Sequence, residues 1–332
     1  MSNRFSYINA MSWDEALAAL ADGEPGAIAK GAGIDLWDLL KEEIVKPDLM
    51  VSLLNIPGAK DIAKSDNTLV IGSMATLQMI ADHTDVIQVA PSLAQAAGSA
   101  ASPAIRNAAT LAGNLCQRPR CGYFRSLLHP CLRKGGGRCF AQDGHHQNHA
   151  IFDTEGCIAT SASSLGPVLV ALEAMVSVRG PGGASRTLPV EKLFLMASQN
   201  PTREVDLRTG ELLERVSIPL AGTINAYHKV RARDGFDWPM VEVAVGVRID
   251  SRGIITSGRV VLGAVAMVPW RAFETEKLLL NTKLTNDVIR KGADVAAAGA
   301  RPLRDNRHKV DIVRSAVRET LEKVRRIVDG AL

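Results

Sequence analysis

The sequence predicts an α+β chain of 332 residues in two successive parts, with an insertion of unusual composition inside the first. Three observations predict it. Short apolar strands alternate with helical stretches from the N-terminus to about residue 115. In the last third strands come first and helices last, the α+β order. Between these stretches lie all five cysteines, Cys116, Cys121, Cys131, Cys139 and Cys157.

The balance of residues narrows the class. With 46% apolar and 22% charged residues the chain can fill a core, which argues against long disorder. Aromatics are 4%, a poor basis for stacking nucleic-acid bases. A net charge of +4, from 39 basic and 35 acidic residues, is too weakly biased to imply a polyanion partner. No membrane span is expected: Cys157–Leu172 lacks charges but carries Thr160, Ser161, Ser163, Ser164, Gly166 and Pro167. Trp13-Asp14-Glu15 opens an amphipathic helix where a signal peptide would need a basic and then an apolar run, so the cytoplasm is the default location.

In chain order, Asp14–Leu20 reads as a helix and Ala27-Ile28-Ala29 as a strand. Lys30-Gly31-Ala32-Gly33 then turns into a helix over Ile34–Leu40. Met50–Leu54 and Thr68–Gly72 are strands. Thr76–Ile80 starts a helix with Ser73 as its cap, and Pro91–Ala100 is a small-residue helix. Ser102–Asn107 turns the chain before Ala108–Leu115. Residues 116–160 lose apolar periodicity, which predicts an insertion folded around a site and not around a core. Beyond it Val168–Leu172 is helical, Met175–Arg179 and Arg186–Leu188 form a hairpin about Pro181-Gly182-Gly183, and Leu212–Pro219 is a strand. A boundary falls near 220–224. Asn225–Val230, Met240–Ile249 and Ile254–Val265 are strands of the second part. The chain ends in a helix with Val310, Val313, Val317, Leu321, Val324 and Val328 on one face.

The cysteines suggest one local site, with Cys121-x9-Cys131-x7-Cys139-x17-Cys157 and Cys116 upstream. Four thiolates can hold zinc or a 4Fe–4S cluster. The absence of a C-x2-C pair weighs against zinc. Unpaired surface thiols are the bland alternative. His129, His145, His146 and His149 share the loop. Three glycine turns add a second theme: Gly31-Ala32-Gly33, Ile71-Gly72-Ser73 and Thr110–Asn114 each let backbone approach an anion. None completes a Rossmann or Walker pattern.

Ala32-Gly33-x-x-Leu36, Ile71-Gly72-x-x-x-Thr76 and above all Ser102-Pro103-Ala104-Ile105-Arg106-Asn107-Ala108-Ala109-Thr110-Leu111-Ala112-Gly113-Asn114-Leu115 resemble the FAD-binding subunits of molybdenum hydroxylases. That family includes xanthine dehydrogenases, carbon monoxide dehydrogenase medium chains and aldehyde oxidoreductases. Gly210–Leu213, Tyr227–Arg231, Gly263–Ala266 and Pro269-Trp270-Arg271 extend the resemblance over nearly the whole chain. The cysteine insertion is similar to the subgroup with a 4Fe–4S cluster, closest to the aldehyde oxidoreductase type.

The resemblance implies a two-part FAD-binding domain of the vanillyl-alcohol-oxidase-like (PCMH) type over 1–219, with the insertion at 116–160, and a smaller α+β domain over 220–332. It implies that Lys30, Gly31, Ala32, Gly33, Ile34, Asp35 and Leu36 cradle the FAD diphosphate. Ser102, Thr110, Gly113, Asn114, Ser164, Leu165 and Lys229 are expected to contact the remainder of the cofactor. The cluster ligands become Cys121, Cys131, Cys139 and Cys157, with Cys116 spare. Two departures stand out: Ile34 where the family has Thr, and Ser164 where it has Asp. They predict weaker or differently tuned FAD binding. No catalytic acid–base pair is expected on this chain. The implied partners are a large molybdenum-cofactor subunit, which oxidises an aldehyde or N-heterocycle, and a small 2Fe–2S subunit. Export to the periplasm with a partner is the alternative location. The rival functions are a structural or assembly subunit with a zinc-stapled loop and a stand-alone flavin oxidase; the short C-terminal part argues against the latter.

Overall fold

The computed structural model describes residues 4–23 and 26–330. Three sheets organise the chain. The first is parallel, with Leu49–Ser52 between Ser6–Asn9 and Ala27–Lys30. Parallel neighbours need crossovers, and the helices Trp13–Asp22 and Ile34–Lys41 supply them. The former is capped by Ser12, which accepts from the Glu15 N–H, and it buries Ala16, Leu17 and Leu20. A five-stranded antiparallel sheet follows, ordered Ile62–Lys64, Thr68–Gly72, Leu212–Pro219, Met175–Arg179, Ser185–Pro189. The strand Leu212–Pro219 closes this sheet from far along the chain, so the insertion is bracketed by it.

The third sheet is antiparallel, ordered Trp270–Arg271, Ile255–Gly263, Pro239–Ile249, Ile224–Arg231. The last helix, His308–Val328, lies against Pro239–Ile249 and Ile224–Arg231. It buries Val313, Val317, Leu321 and Val324 while Arg314 and Arg318 stay exposed. Val310 and Val328, at the ends of the predicted stripe, are only half-buried.

Three local expectations are corrected, and two elements were not read. The helix Leu77–Asp82 is capped by Thr76, which accepts from the Met79 N–H, and not by Ser73. Thr110-Leu111-Ala112-Gly113-Asn114 is no glycine turn: Thr110 caps a helix over Leu111–Leu115 that contains Gly113. Ile62–Lys64 and the helix Thr84–Val89 carry too little periodicity to have been read. The insertion, expected to avoid the core, enters it. Ile151 and Phe152 are fully buried in the main core, and their N–H groups donate to the Val265 carbonyl at 2.9 and 3.1 Å. These apolar residues are too few to show a period.

Among the described residues, no helix is long and apolar enough to cross a membrane.

Candidate flavin cleft and cysteine site

A cleft of 540 Å³ opens beside the first parallel sheet, within the usual size of cofactor sites. Strand Ala27–Lys30 ends at its floor, and the chain turns through Gly31–Gly33 into Ile34–Lys41. Gly33 has φ +82°, which glycine adopts without strain. It offers no capping side chain, so the first N–H groups of the helix, on residues that line the cleft, have no side-chain cap. Such orphan donors suit an anion. A Cβ at Gly31 would lie 2.8 Å from Thr110 Oγ1, so the turn and Thr110 close on each other only because no side chain intervenes.

Every predicted cofactor residue except Leu165 lines this cleft. Ser102 and Thr110 each cap a short helix, accepting from the Ile105 and Gly113 N–H groups at 3.4 and 3.1 Å. Each hydroxyl keeps its proton to donate elsewhere. Leu165 is fully buried at the start of the helix Leu165–Ala171, and its N–H donates to Asn114 Oδ1 at 3.3 Å. Asn114 Oδ1 also accepts from Ser163 Oγ at 2.7 Å, which ties the chain beyond the insertion to the helix before it. Lys30 Nζ donates to Tyr7 Oη at 3.1 Å and to the Gly31 carbonyl at 2.9 Å, pinning the turn. Lys229 Nζ donates to the Ser99 carbonyl at 3.1 Å, and burial lowers its pKa. Gly72 and Ser73, the second of the three predicted glycine turns, do not reach the cleft.

Asp35 lines the cleft but its carboxylate is engaged elsewhere. Oδ2 accepts from the Arg118 N–H at 2.8 Å, and Oδ1 lies 2.6 Å from Arg125 Nη2 and 3.0 Å from Arg120 Nη2. All three donors belong to the insertion. Arg118 and Arg120 also line the cleft, as do the exposed Phe236 and Trp238. The Arg120 guanidinium lies 4.9 Å over the Trp238 ring. Sequence reasoning missed these four; two exposed aromatics so close together in a chain poor in aromatics were the available signal.

The fold brings the four predicted cysteine ligands near one another in pairs. Cys131 and Cys157 are buried, Cys121 and Cys139 half-buried. Cys121 packs in apolar clusters with Cys157 on one side and Cys131 on the other. Cys139 and Cys157 lie near enough to affect each other's ionisation, which holds the Cys139 pKa high and the Cys157 pKa low. Arg133, near Cys157, also favours its thiolate. His149 Nε2 lies 3.3 Å from Cys121 Sγ, and burial lowers its imidazole to about 4, so it is neutral. Cys116 stands apart: it lines the cleft, and burial pushes its thiol up to about 12. Among the described residues, no three His, Cys, Asp or Glu side chains are arranged around a single metal ion.

Two networks anchor this loop. Glu204 lies 2.8 Å from Arg118 Nε and 3.4 Å from Arg133 Nη1, and burial raises its pKa against the pull of both arginines. From the last helix, Lys309 Nζ donates to the carbonyls of Asn148, His149 and Ala264 at 3.2, 3.1 and 2.5 Å. Burial pulls this ammonium down to about 7. The three acceptors oppose that shift, because a neutral amine has only two N–H groups to offer.

The comparisons with known proteins agree with this geometry. A family model described as FAD binding domain in molybdopterin dehydrogenase matches residues 3–221, and one described as CO dehydrogenase flavoprotein C-terminal domain matches 225–326. The aldehyde oxidoreductase FAD-binding subunit PaoB of Escherichia coli K12 is 31% identical, covering 93% of this chain and 94% of that protein. The carbon monoxide dehydrogenase medium chain of Hydrogenophaga pseudoflava is 27% identical, covering 93% and 91%. Among solved structures, carbon monoxide dehydrogenase from Hydrogenophaga pseudoflava superposes with a TM-score of 0.76 at 25% identity, covering 97% of each chain. Quinoline 2-oxidoreductase from Pseudomonas putida 86 superposes with 0.77 at 22% identity, covering 100% and 99%, and supports the fold alone. A cleft floored by orphan helix N–H groups and a match to family and relatives along nearly the whole chain lead to one conclusion: the chain belongs to the FAD-binding medium subunits of the molybdenum hydroxylase and CO dehydrogenase family.

Proposed function

We propose that this chain is the FAD- and 4Fe–4S-bearing electron-transfer subunit of a heterotrimeric molybdenum hydroxylase. A large subunit with the molybdenum cofactor would oxidise an aldehyde or N-heterocycle, and a small subunit would carry 2Fe–2S clusters. Residues 1–219, with the insertion 116–160, form the FAD-binding part and 220–332 the second part. The observation that carries the flavin role is the cleft itself, in which the turn 31–33, Ser102, Thr110, Ser164 and Lys229 meet from distant parts of the chain.

Bound FAD links one-electron donors to acceptors that take two electrons. The chain's own residues do simpler work. Backbone N–H groups at Gly31–Asp35 hold the diphosphate, and the Ser102 and Thr110 hydroxyls donate to it or to the neighbouring ribityl oxygens. Ile34 offers no hydroxyl, which leaves the backbone to do most of the holding. Ser164 and Lys229 face the flavin end. The donor set at Cys121, Cys131, Cys139 and Cys157 supplies the four thiolates that an iron–sulfur cluster would take. His149 beside Cys121 is placed to tune that ligand.

The test is an anaerobic absorbance spectrum of the purified protein with iron, zinc and FAD quantified on one sample. Roughly four irons per chain with stoichiometric FAD is the expected result. FAD without iron would remove the cluster and keep the flavin role. Zinc without FAD would overturn the electron-transfer role altogether.

A further inference from the structure

We propose that Glu242 is a positioning residue for the flavin cleft: from behind its wall it holds Ser164 and offsets the charge of Lys229. This rests on the cleft holding FAD as proposed above. Glu242 does not line the cleft itself. It sits in the strand Pro239–Ile249 with 1% of its surface exposed. A carboxylate in such a place needs partners, and the fold provides three of them from two elements. Tyr227 Oη donates to Oε1 at 2.5 Å. Ser164, at the start of the helix Leu165–Ala171, is near enough for its hydroxyl to favour the Glu242 carboxylate. Lys229 is its directly opposed residue on the neighbouring strand, and the two charges act on each other.

The space for the carboxylate is also built. On its other side Glu242 is opposed by Gly263, where an added Cβ would lie 2.8 Å from Glu242 Oε2. Tyr227 and Lys229 are two residues apart on one strand and so share a face. Burial raises the Glu242 pKa, and the Lys229 ammonium, the Ser164 hydroxyl and the Tyr227 hydroxyl all pull it back down. Tyr227 is raised well above its usual value by burial and by Glu242, so it remains a donor.

The arrangement has a consequence for the cofactor. Lys229 and Ser164 both line the cleft. An ammonium beside a flavin favours the reduced form, because reduction adds negative charge to the ring system. A buried carboxylate behind that ammonium opposes the bias. Glu242 thus places a negative charge one layer behind Lys229 and Ser164, on the strand that opposes Lys229.

The experiment compares flavin midpoint potentials of the FAD-loaded parent, Glu242→Gln, Lys229→Gln and the double variant by anaerobic redox titration. FAD content and thermal midpoint are measured on each. Glu242→Gln keeps the shape and removes the charge. It should shift the flavin equilibrium toward reduction by tenfold or more, about 30 mV for a two-electron couple. Lys229→Gln should shift it the other way, and the double variant should return close to the parent. Equal potentials in the parent and Glu242→Gln overturn the proposal. If Glu242→Gln fails to fold, the double variant decides: a folded, FAD-loaded protein near the parent potential supports the offset, and any other result refutes it. A parent chain that binds no FAD would sink the cleft assignment instead, a failure read separately from the FAD content.

Discussion

Replacing Asp35 by asparagine separates two roles for a carboxylate beside the turn proposed to hold the diphosphate. As a bystander beside a phosphate, its loss would relieve like-charge repulsion and tighten FAD. As the tether between cleft and insertion, its loss would do the opposite. The structure favours the tether: one carboxylate serves the Arg118 N–H, Arg120 and Arg125 at 2.8, 3.0 and 2.6 Å. A charge-assisted hydrogen bond contributes about 1.5–3 kcal/mol, and removing one partner of a buried pair costs about 3–5 kcal/mol. Arg125 is the buried partner, with 9% of its side chain exposed, while Arg120 keeps 24%. Discounting the exposed pair leaves about 2–4 kcal/mol for Asp35→Asn. At 1.4 kcal/mol per decade, local opening of residues 116–126 should rise by about 30- to 700-fold. Amide hydrogen exchange of that segment measures the opening, and FAD titration into apoprotein measures the linked loss of affinity. Unchanged exchange together with tighter FAD binding would refute the tether.

Three further outcomes follow from the same structure. Glu211 has its pKa lowered chiefly by the hydrogen bond from Arg186, so its contribution is fully present above its unfolded value near 4.5 and is lost as pH falls through the lower folded value. Arg186→Gln should therefore cost about 1 kcal/mol at neutral pH and little at pH 2–3, as denaturant midpoints across pH will show. Lys309→Met strands three carbonyls, two of them flanking the insertion's His149, and should destabilise the chain by about 1–3 kcal/mol with iron lost before FAD on mild denaturation; simultaneous loss of both would contradict it. Cys131→Ser should abolish iron while leaving most FAD, whereas Cys116→Ser should keep the iron, since Cys116 lies in the cleft apart from the other four thiols; metal and flavin assays on both variants decide.

Several features were legible in the sequence because they depend on local pattern. The last helix shows its buried Val313, Val317, Leu321 and Val324 at helical spacing, and the strand Leu212–Pro219 was read with its observed ends. The Gly31-Ala32-Gly33 turn was legible because only glycine takes φ +82° there without strain. Even the family could be named from Ser102–Leu115 alone.

What tertiary structure decided is which side chains meet. Asp35 stands in the first turn of the helix after Gly31–Gly33, yet three donors more than eighty positions away take its carboxylate. Thr76 displaces Ser73 as the cap because the helix begins at Leu77, which places the Thr76 hydroxyl within reach of the Met79 N–H. Leu165, next to Ser164, turns into the core because a helix begins there and adjacent residues diverge. Glu242 carries no motif; its importance arises only when sheet register sets it opposite Lys229 and Gly263. Periodicity records which face of an element is apolar. It does not record which distant charge that face will be packed against, and burial makes that partner decisive because an unpaired charge there is too costly to keep.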